Sequence, residues 1–179
     1  MQVAEKKFIQ TPRLSIEYLE WQPTAARSVV LVHGSRPQVA EQLALRNVEG
    51  RFHNGVRITD GAAMECAKEA AGELRLDIEA AFSQGLPNTP MSNAHISIVS
   101  GNFVTARPLG VIDGIDFELT GVTRKIAAEK IHPILQTEDN IVLLSPLGFS
   151  PTGEVFNLTM EDVASQAAIA LHRSEEHTS

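Results

Sequence analysis

Apolar residues follow two different spacings along the chain, and together they predict a mixture of strands and helices. Continuous apolar runs, typical of buried strands in an α/β sheet, occur at Val29–Val32 and Ile141–Leu144. The first run ends at His33-Gly34 and the second at Ser145-Pro146, residues that favour turns. A looser alternation from Phe8 to Leu19 predicts one or two further strands before them.

Helical spacing predicts a long helix from about Asp60 to Phe82. Its small and apolar residues fall on one face suited to packing on a sheet; they are Ala63, Ala67, Ala70, Leu74, Ile78 and Ala81. Ser35 is predicted to cap a second helix that runs to about Arg46. In that helix Pro37 lies in the first turn and Gln38 takes the third position of a capping box.

Two more helices are predicted in the second half of the chain. One covers Ala127–Gln136 and is expected to be interrupted near Pro133. The other begins at Thr159, where Asp162 completes a T-x-x-D cap. Between Pro146 and this last helix the residues predict a loop containing glycine, proline and serine.

Turn residues separate short β segments in the remaining regions. Asn54-Gly55 predicts a tight hairpin over Phe52–Thr59, and Asp113-Gly114 a second turn between short apolar segments. A loop is expected over Gly85–Pro90 and a strand over His95–Ser100. Strands alternating with helices predict an α/β fold, a three-layer αβα sandwich.

Composition narrows the function classes. The 179 residues are 43% hydrophobic, 21% charged and 5% aromatic, with a net charge of -7, as in a globular cytosolic protein. Lysine and arginine are scattered, which argues against a nucleic-acid partner, and no apolar stretch has the roughly 20 residues of a membrane helix. The N-terminus lacks a signal-peptide core, and the single cysteine, Cys66, fits a reducing cytoplasm.

Two segments are candidates for binding an anion. Gly34, Ser35 and Arg36 lie where a strand turns into a helix N-terminus, and free backbone N–H groups and the helix dipole favour a carboxylate or phosphate there. A tight turn with a solvated Arg36 is the alternative. Arg57 lies in the predicted hairpin, where it either holds a carboxylate or pairs at the surface with Asp60 or Glu65.

Other patterns are expected to carry no chemistry. Gly148-Phe-Ser150-Pro-Thr-Gly153 nearly spells G-x-S-x-G, but its second glycine is one position late for a nucleophile elbow. The six histidines and Cys66 show no metal-ligand spacing, so no metal site is predicted, and His95 is interpreted as structural. Cys66, on the packed helix face, is expected to act as a small inert hydrophobe.

The blocks Val29–Gln38, Asn54–Asp60 and Ser100–Leu158 together resemble one family, the bacterial amino-acid N-acetyltransferases or N-acetylglutamate synthases, in their amino-acid-kinase-like domain. The resemblance covers about Val29 to His172 and implies an amino-acid-kinase, or carbamate-kinase-like, sandwich. It also implies a vestigial kinase-like site for a substrate or effector.

The resemblance assigns roles at that site. It implies that the loop Gly34, Ser35, Arg36 lines the amino-acid and phosphate site. By the same resemblance, Arg57 holds the α-carboxylate of N-acetylglutamate and Asn157 binds the same ligand. Thr159 and Glu161 replace an asparagine and an aspartate of the related kinases, and the kinases' first-strand lysine and glycine motif is not found. We therefore expect no phosphoryl transfer and no catalytic residue in this chain.

For the whole family protein, the resemblance implies transfer of acetyl from acetyl-CoA to L-glutamate, the first step of L-arginine biosynthesis. Acetyl-CoA is then a substrate, L-arginine an allosteric inhibitor, and the full-length protein a homo-oligomer. No cofactor is expected in this chain, which lacks the acetyltransferase domain and is predicted to be inactive alone. The alternatives are a non-catalytic module that senses arginine or N-acetylglutamate and, more remotely, an α/β-hydrolase fragment.

Both ends of the chain depart from the family. Residues 1–28 are interpreted as a foreign segment, because Thr11 to Gly34 resembles the opening of an α/β-hydrolase. Residues 29–172 form the partial kinase-like domain. Residues 173–179 match the translation of a common sequencing adapter and are interpreted as an artefactual tail. The fold is accordingly expected to be incomplete at both ends.

Overall fold

The computed structural model describes residues 5–10, 15–21, 28–84 and 96–176, with side chains placed over 28–84 and 96–172. The predicted loop Gly85–Pro90 and His95 lie outside these residues. The helices are α1 Arg36–Leu45, α2 Gly61–Ser83, α3 Ala128–Leu135 and α4 Met160–Glu176. The strands are β1 Glu5–Gln10, β2 Ser15–Trp21, β3 Ser28–His33, β4 Arg51–His53, β5 Val56–Ile58, β6 Ser97–Ser100, β7 Val104–Pro108, β8 Val111–Ile112, β9 Ile115–Asp116, β10 Gly121–Ile126, β11 Asn140–Leu144, β12 Leu147–Phe149 and β13 Val155–Asn157.

A five-stranded sheet in the order β1-β2-β3-β11-β6 forms the centre of the protein. The strands β1, β2 and β3 pair antiparallel, whereas β11 pairs parallel with both β3 and β6. The two apolar runs that predicted buried strands are therefore neighbours, with Val29 beside Ile141 and Val32 beside Leu144. Their carboxyl ends meet at one edge of the sheet.

Alternation along β3 and β11 divides the core between two faces of this sheet. Val30 and Val32 belong to a cluster with residues of α3 and α4, including Ile131 and Val163. Leu31 faces the other way and packs with Ile78 of α2. Helices thus cover both faces, and the predicted three-layer α/β arrangement is confirmed.

Smaller sheets complete the fold beyond the central one. A four-stranded sheet has the order β10-β7-β12-β13, and two hairpins are formed by β4-β5 and by β8-β9. The predicted turns at Asn54-Gly55 and Asp113-Gly114 are confirmed, since all four residues have positive φ. The two hairpins lie side by side, with His53 Nε2 3.4 Å from Asp113 Oδ2.

The predicted interruption of α3 at Pro133 is wrong. The helix continues from Ala128 to Leu135 through the proline. Pro133 removes one backbone donor, but Ile131 is fully buried in the core, and the Ala127 N–H donates to the Phe103 carbonyl. Packing and this anchor hold the short helix despite the missing bond.

The loop predicted after Pro146 is instead the hairpin β12-β13. Each strand has three residues, and β12 also pairs with β7. Gly148 lies at the centre of β12, where an added side-chain carbon would be 2.6 Å from Ala106 Cβ. The glycine that resembled a loop signal is therefore required by close packing of two strands.

Two details of the helix predictions are also wrong. Ser35 does precede α1, but its side chain makes no capping hydrogen bond, and the buried Oε1 of Gln38 has no partner among the described residues. The capping box is thus not formed. Ala81, predicted on the packed face of α2, is exposed, because the buried stripe ends at Ile78.

Candidate functional site

Gly34 and Ser35 join His33, the last residue of β3, to Arg36, the first residue of α1. This connection also abuts the start of α4, because a side-chain carbon added at Gly34 would lie 3.2 Å from Met160 Sδ. Ser35 is buried, and the exposed Arg36 donates from Nη2 to the Gly55 carbonyl at 3.2 Å. The helix N-terminus therefore lies against both α4 and the β4-β5 hairpin, and Arg36, although exposed, is hydrogen-bonded to that hairpin.

His33 ends β3 as a fully enclosed side chain, only 1% exposed. Neither ring nitrogen has a hydrogen-bond partner among the described residues. Burial lowers the pKa of His33 from 6.5 to about 4; a weak interaction with the Gly34 backbone, short of hydrogen-bond geometry, opposes the shift. The imidazole is accordingly neutral at physiological pH and acts as part of the core.

Arg57, on β5, is only 7% exposed. Its guanidinium carbon lies 4.6 Å from the ring centroid of Phe52, which pairs with it across the hairpin. A side-chain carbon at Gly50 would come within 2.7 Å of Arg57 Nη1, so that glycine leaves the space the guanidinium occupies. The guanidinium therefore packs against the Phe52 ring and occupies the space that a side chain at position 50 would fill.

No carboxylate neutralises Arg57 within the described part of the chain. Asp60 instead caps α2 through the Ala63 N–H at 2.8 Å and pairs with Arg51, while Glu65 pairs with Lys68. Burial lowers the pKa of Arg57, and the positive charge of Arg36 lowers it further. The alternative of a surface arginine paired with Asp60 or Glu65 is therefore wrong.

Two threonines that the sequence reasoning missed connect Arg57 to Asn157. Thr120 Oγ1 lies 2.6 Å from the Arg57 carbonyl and 2.8 Å from Thr59 Oγ1, and it accepts from the Thr59 N–H at 3.0 Å. Asn157 Nδ2 donates to Thr59 Oγ1 at 3.0 Å. Thr59 and Thr120 are 0% and 4% exposed. No local pattern marks them, since the contacts join residues 61 and 98 positions apart.

Backbone bonds hold the same strand ends together. The Leu119 N–H donates to the Thr59 carbonyl, and the Asn157 N–H donates to the Leu119 carbonyl, both at 2.9 Å. The segment between β9 and β10 thus lies between the strand that carries Arg57 and the strand that ends at Asn157. Of the five residues predicted for the site, Gly34, Ser35 and Arg36 lie at the start of α1, whereas Arg57 and Asn157 lie on β5 and β13, the strands that lead into α2 and α4.

The residues expected to be inert have structural roles. Ser150 lies in the β12-β13 hairpin, where its hydroxyl contacts Thr152 Oγ1 at 2.8 Å and accepts from the Glu154 N–H at 3.0 Å. This is no strand-to-helix elbow. Cys66 is fully buried, 3.5 Å from Arg46 Nη1.

Across the described ranges, no three metal-ligating side chains are grouped to hold an ion. Among the helices described, none is both long and apolar enough to span a bilayer.

Comparisons with known proteins place this chain among proteins that contain an amino-acid-kinase domain. The model of the amino acid kinase family matches residues 18–175. An amino-acid acetyltransferase of Ralstonia nicotianae is 68% identical over 143 residues, covering 80% of this chain and 32% of that protein. The chain therefore spans about a third of the length of the curated relatives it matches.

Solved structures give the same result. N-acetylglutamate synthase from Neisseria gonorrhoeae, complexed with coenzyme A and L-arginine, superposes with a TM-score of 0.69 at 37% identity, over 79% of this chain and 33% of that one. The same enzyme complexed with coenzyme A and N-acetyl-glutamate gives a TM-score of 0.68 at 37% identity, over 79% of this chain and 31% of that one.

Proposed function

The chain belongs to the amino acid kinase family, and from this membership we propose that it is the kinase-like part of an N-acetylglutamate synthase. The parent enzyme would transfer acetyl from acetyl-CoA to the α-amino group of L-glutamate. In this proposal the kinase-like part binds a carboxylate ligand and performs no chemistry. The relatives' names and the solved complexes support the parentage.

The observation that carries the ligand-binding role is the unpaired guanidinium of Arg57. A buried cation without a counter-charge is costly, and a second cation, Arg36, lies close enough to lower its pKa. A bound carboxylate would relieve both effects and take the two parallel hydrogen bonds that a guanidinium offers. The adjacent start of α1 adds free N–H groups that favour the same charge.

Charge is the basis for our choice between L-arginine and N-acetyl-glutamate, which are named with coenzyme A in the gonococcal complexes. N-acetyl-L-glutamate carries two carboxylates and no cation, whereas L-arginine carries a net positive charge. A site that presents two arginines without a neighbouring carboxylate favours the first. We therefore propose N-acetyl-L-glutamate as the ligand of this site and weak or no binding of L-arginine at it.

Phosphoryl transfer is not part of the proposal. The reaction needs cations positioned around the transferred group, and the kinases' first-strand lysine motif does not occur here. Thr159, which replaces one kinase residue, accepts from the Asp162 N–H at 3.3 Å and so serves as the cap of α4. No ADP release above background is expected from ATP and N-acetylglutamate, measured by a coupled assay.

The remaining properties of the full-length enzyme are also proposals, based on the same similarity to known relatives. Acetyl-CoA and L-glutamate would bind outside this chain, L-arginine would inhibit allosterically, and the full-length protein would form a homo-oligomer. A cytoplasmic location suits a chain whose one cysteine is reduced and buried. The 179 residues alone are expected to show no acetyl transfer, and coenzyme A release from acetyl-CoA and glutamate would contradict this.

Calorimetry with N-acetyl-L-glutamate tests the ligand-binding role. Arg57→Gln is expected to weaken binding at least tenfold, since a hydrogen bond to a charged group contributes about 1.5–3 kcal/mol. Arg51→Gln is the matched control, because Arg51 lies on the same hairpin but already pairs with Asp60 and Glu118. The proposal would be refuted if the Arg57 variant bound N-acetyl-L-glutamate as tightly as the unsubstituted chain, or if the unsubstituted chain did not bind it.

A further inference from the structure

We propose that the hydroxyls of Thr59 and Thr120 fix the orientation of the Asn157 amide, so that its oxygen is offered to the ligand and selects for an N–H group. The inference rests on the proposed function and names the feature of the ligand that this site reads. Thr59 and Thr120 are positioning residues, because they act through the Asn157 side chain.

A count of protons fixes the amide orientation. Three contacts join the Arg57 carbonyl, Thr120 Oγ1, Thr59 Oγ1 and the Asn157 amide in a row, at 2.6, 2.8 and 3.0 Å. Each needs one proton. The carbonyl contributes none and each hydroxyl contributes one, so the third proton comes from Asn157. Its Nδ2 therefore faces Thr59.

A flipped amide would break this row. Thr59 would then donate to Asn157 Oδ1, and Thr120 would have a single proton for two acceptors, the Arg57 carbonyl and Thr59 Oγ1. Either the buried carbonyl or the close oxygen–oxygen contact would then lack its proton, which is unfavourable for buried polar groups. Because both threonines are buried, water does not supply the missing bond.

The consequence for the ligand follows from the geometry of an amide. With Nδ2 held by Thr59, Oδ1 points away from the threonines, and no partner for it exists among the described residues. A half-buried carbonyl oxygen of this kind accepts from an N–H donor. Under the proposed function, in which the Arg57 guanidinium holds a carboxylate, this oxygen would accept from the amide N–H that N-acetylated amino acids also carry.

The closing experiment compares two ligands that differ in one group. N-acetyl-L-glutamate has an amide N–H, and its ester analogue (S)-2-acetoxyglutarate has an oxygen at that position. The unsubstituted chain is expected to bind N-acetyl-L-glutamate roughly tenfold more tightly than the ester, because the ester loses one hydrogen bond of about 1.4 kcal/mol. Thr59→Val should abolish this preference, whereas Thr59→Ser, which keeps the hydroxyl, should retain it.

Thr120→Val and Thr120→Ser form a second matched pair. If these sites served packing alone, the valine variants would behave as the parent and the serine variants, which lack the methyl group, would be impaired. That result, or equal affinity of the parent for both ligands, overturns the inference.

A ligand-free measurement separates this inference from the proposed function. The Asn157 side-chain amide protons, assigned in ¹H–¹⁵N spectra by their loss in Asn157→Asp, are expected to exchange at least tenfold more slowly than those of the exposed Asn54. Exchange as fast as at Asn54 overturns the inference even if N-acetyl-L-glutamate binds. Slow exchange in a parent that binds neither ligand refutes the proposed function and leaves the fixed amide standing.

Discussion

Acid should destabilise this protein through His33. A histidine whose pKa is lower in the folded than in the unfolded state takes up its proton on unfolding, so stability is complete above pH 6.5 and is lost as the pH falls towards 4. A lowering from 6.5 to about 4, at about 1.36 kcal/mol for each pH unit, amounts to roughly 3 kcal/mol. About 2 kcal/mol of this should be lost between pH 7.5 and pH 5.

The assay is urea unfolding followed by circular dichroism at pH 7.5, 6.5, 5.5 and 5.0, at constant ionic strength. The parent is compared with His33→Leu, which keeps an apolar side chain in a site where both nitrogens lack partners. Other titrating groups contribute equally to both proteins, so the difference between their free energies of unfolding isolates His33. That difference should change by about 2 kcal/mol in favour of the variant by pH 5. Parallel pH profiles for the two proteins would refute the reasoning.

Three further predictions concern the site and its support. Gly50→Ala should displace the Arg57 guanidinium and weaken N-acetyl-L-glutamate binding roughly tenfold in calorimetry, with little change in melting temperature, because the clash falls on the end of a flexible side chain. Gly148→Ala should lower the free energy of unfolding in urea by about 1–3 kcal/mol, since the added carbon overlaps a neighbouring strand. Asp60→Ala should cost about 0.5–2 kcal/mol in the same assay through loss of the α2 cap, and an unchanged midpoint would contradict that assignment.

Sequence reasoning reached the elements with strong local signals. The β4-β5 hairpin followed from Asn54-Gly55, because turn preferences act within a few residues, and α2 followed from the helical spacing of its apolar face. It did not reach the hairpin β12-β13. The three residues of β12 have a central glycine and resemble a loop, and the contact that requires this glycine is with Ala106 on β7, which is distant in the sequence.

The site divides in the same way. Gly34, Ser35 and Arg36 were already anion-binding candidates from their position before a helix, whereas Asn157 came from the family resemblance alone. For Arg57 the residues left two interpretations, a carboxylate ligand or a surface ion pair. Burial decided between these, and burial depends on Phe52 and on the absence of a side chain at Gly50. Thr59 and Thr120 became visible only once segments distant in the chain were brought together.

The parallel pairing of β3 with β11 has a consequence for synthesis on the ribosome. Val29 lies beside Ile141, so β3 emerges more than a hundred residues before its partner strand exists. At about 5–20 residues per second, this interval lasts roughly 5 to 20 seconds. During that time the apolar edge of β3 is open to other nascent chains, so β3 is exposed to aggregation until β11 has been synthesised.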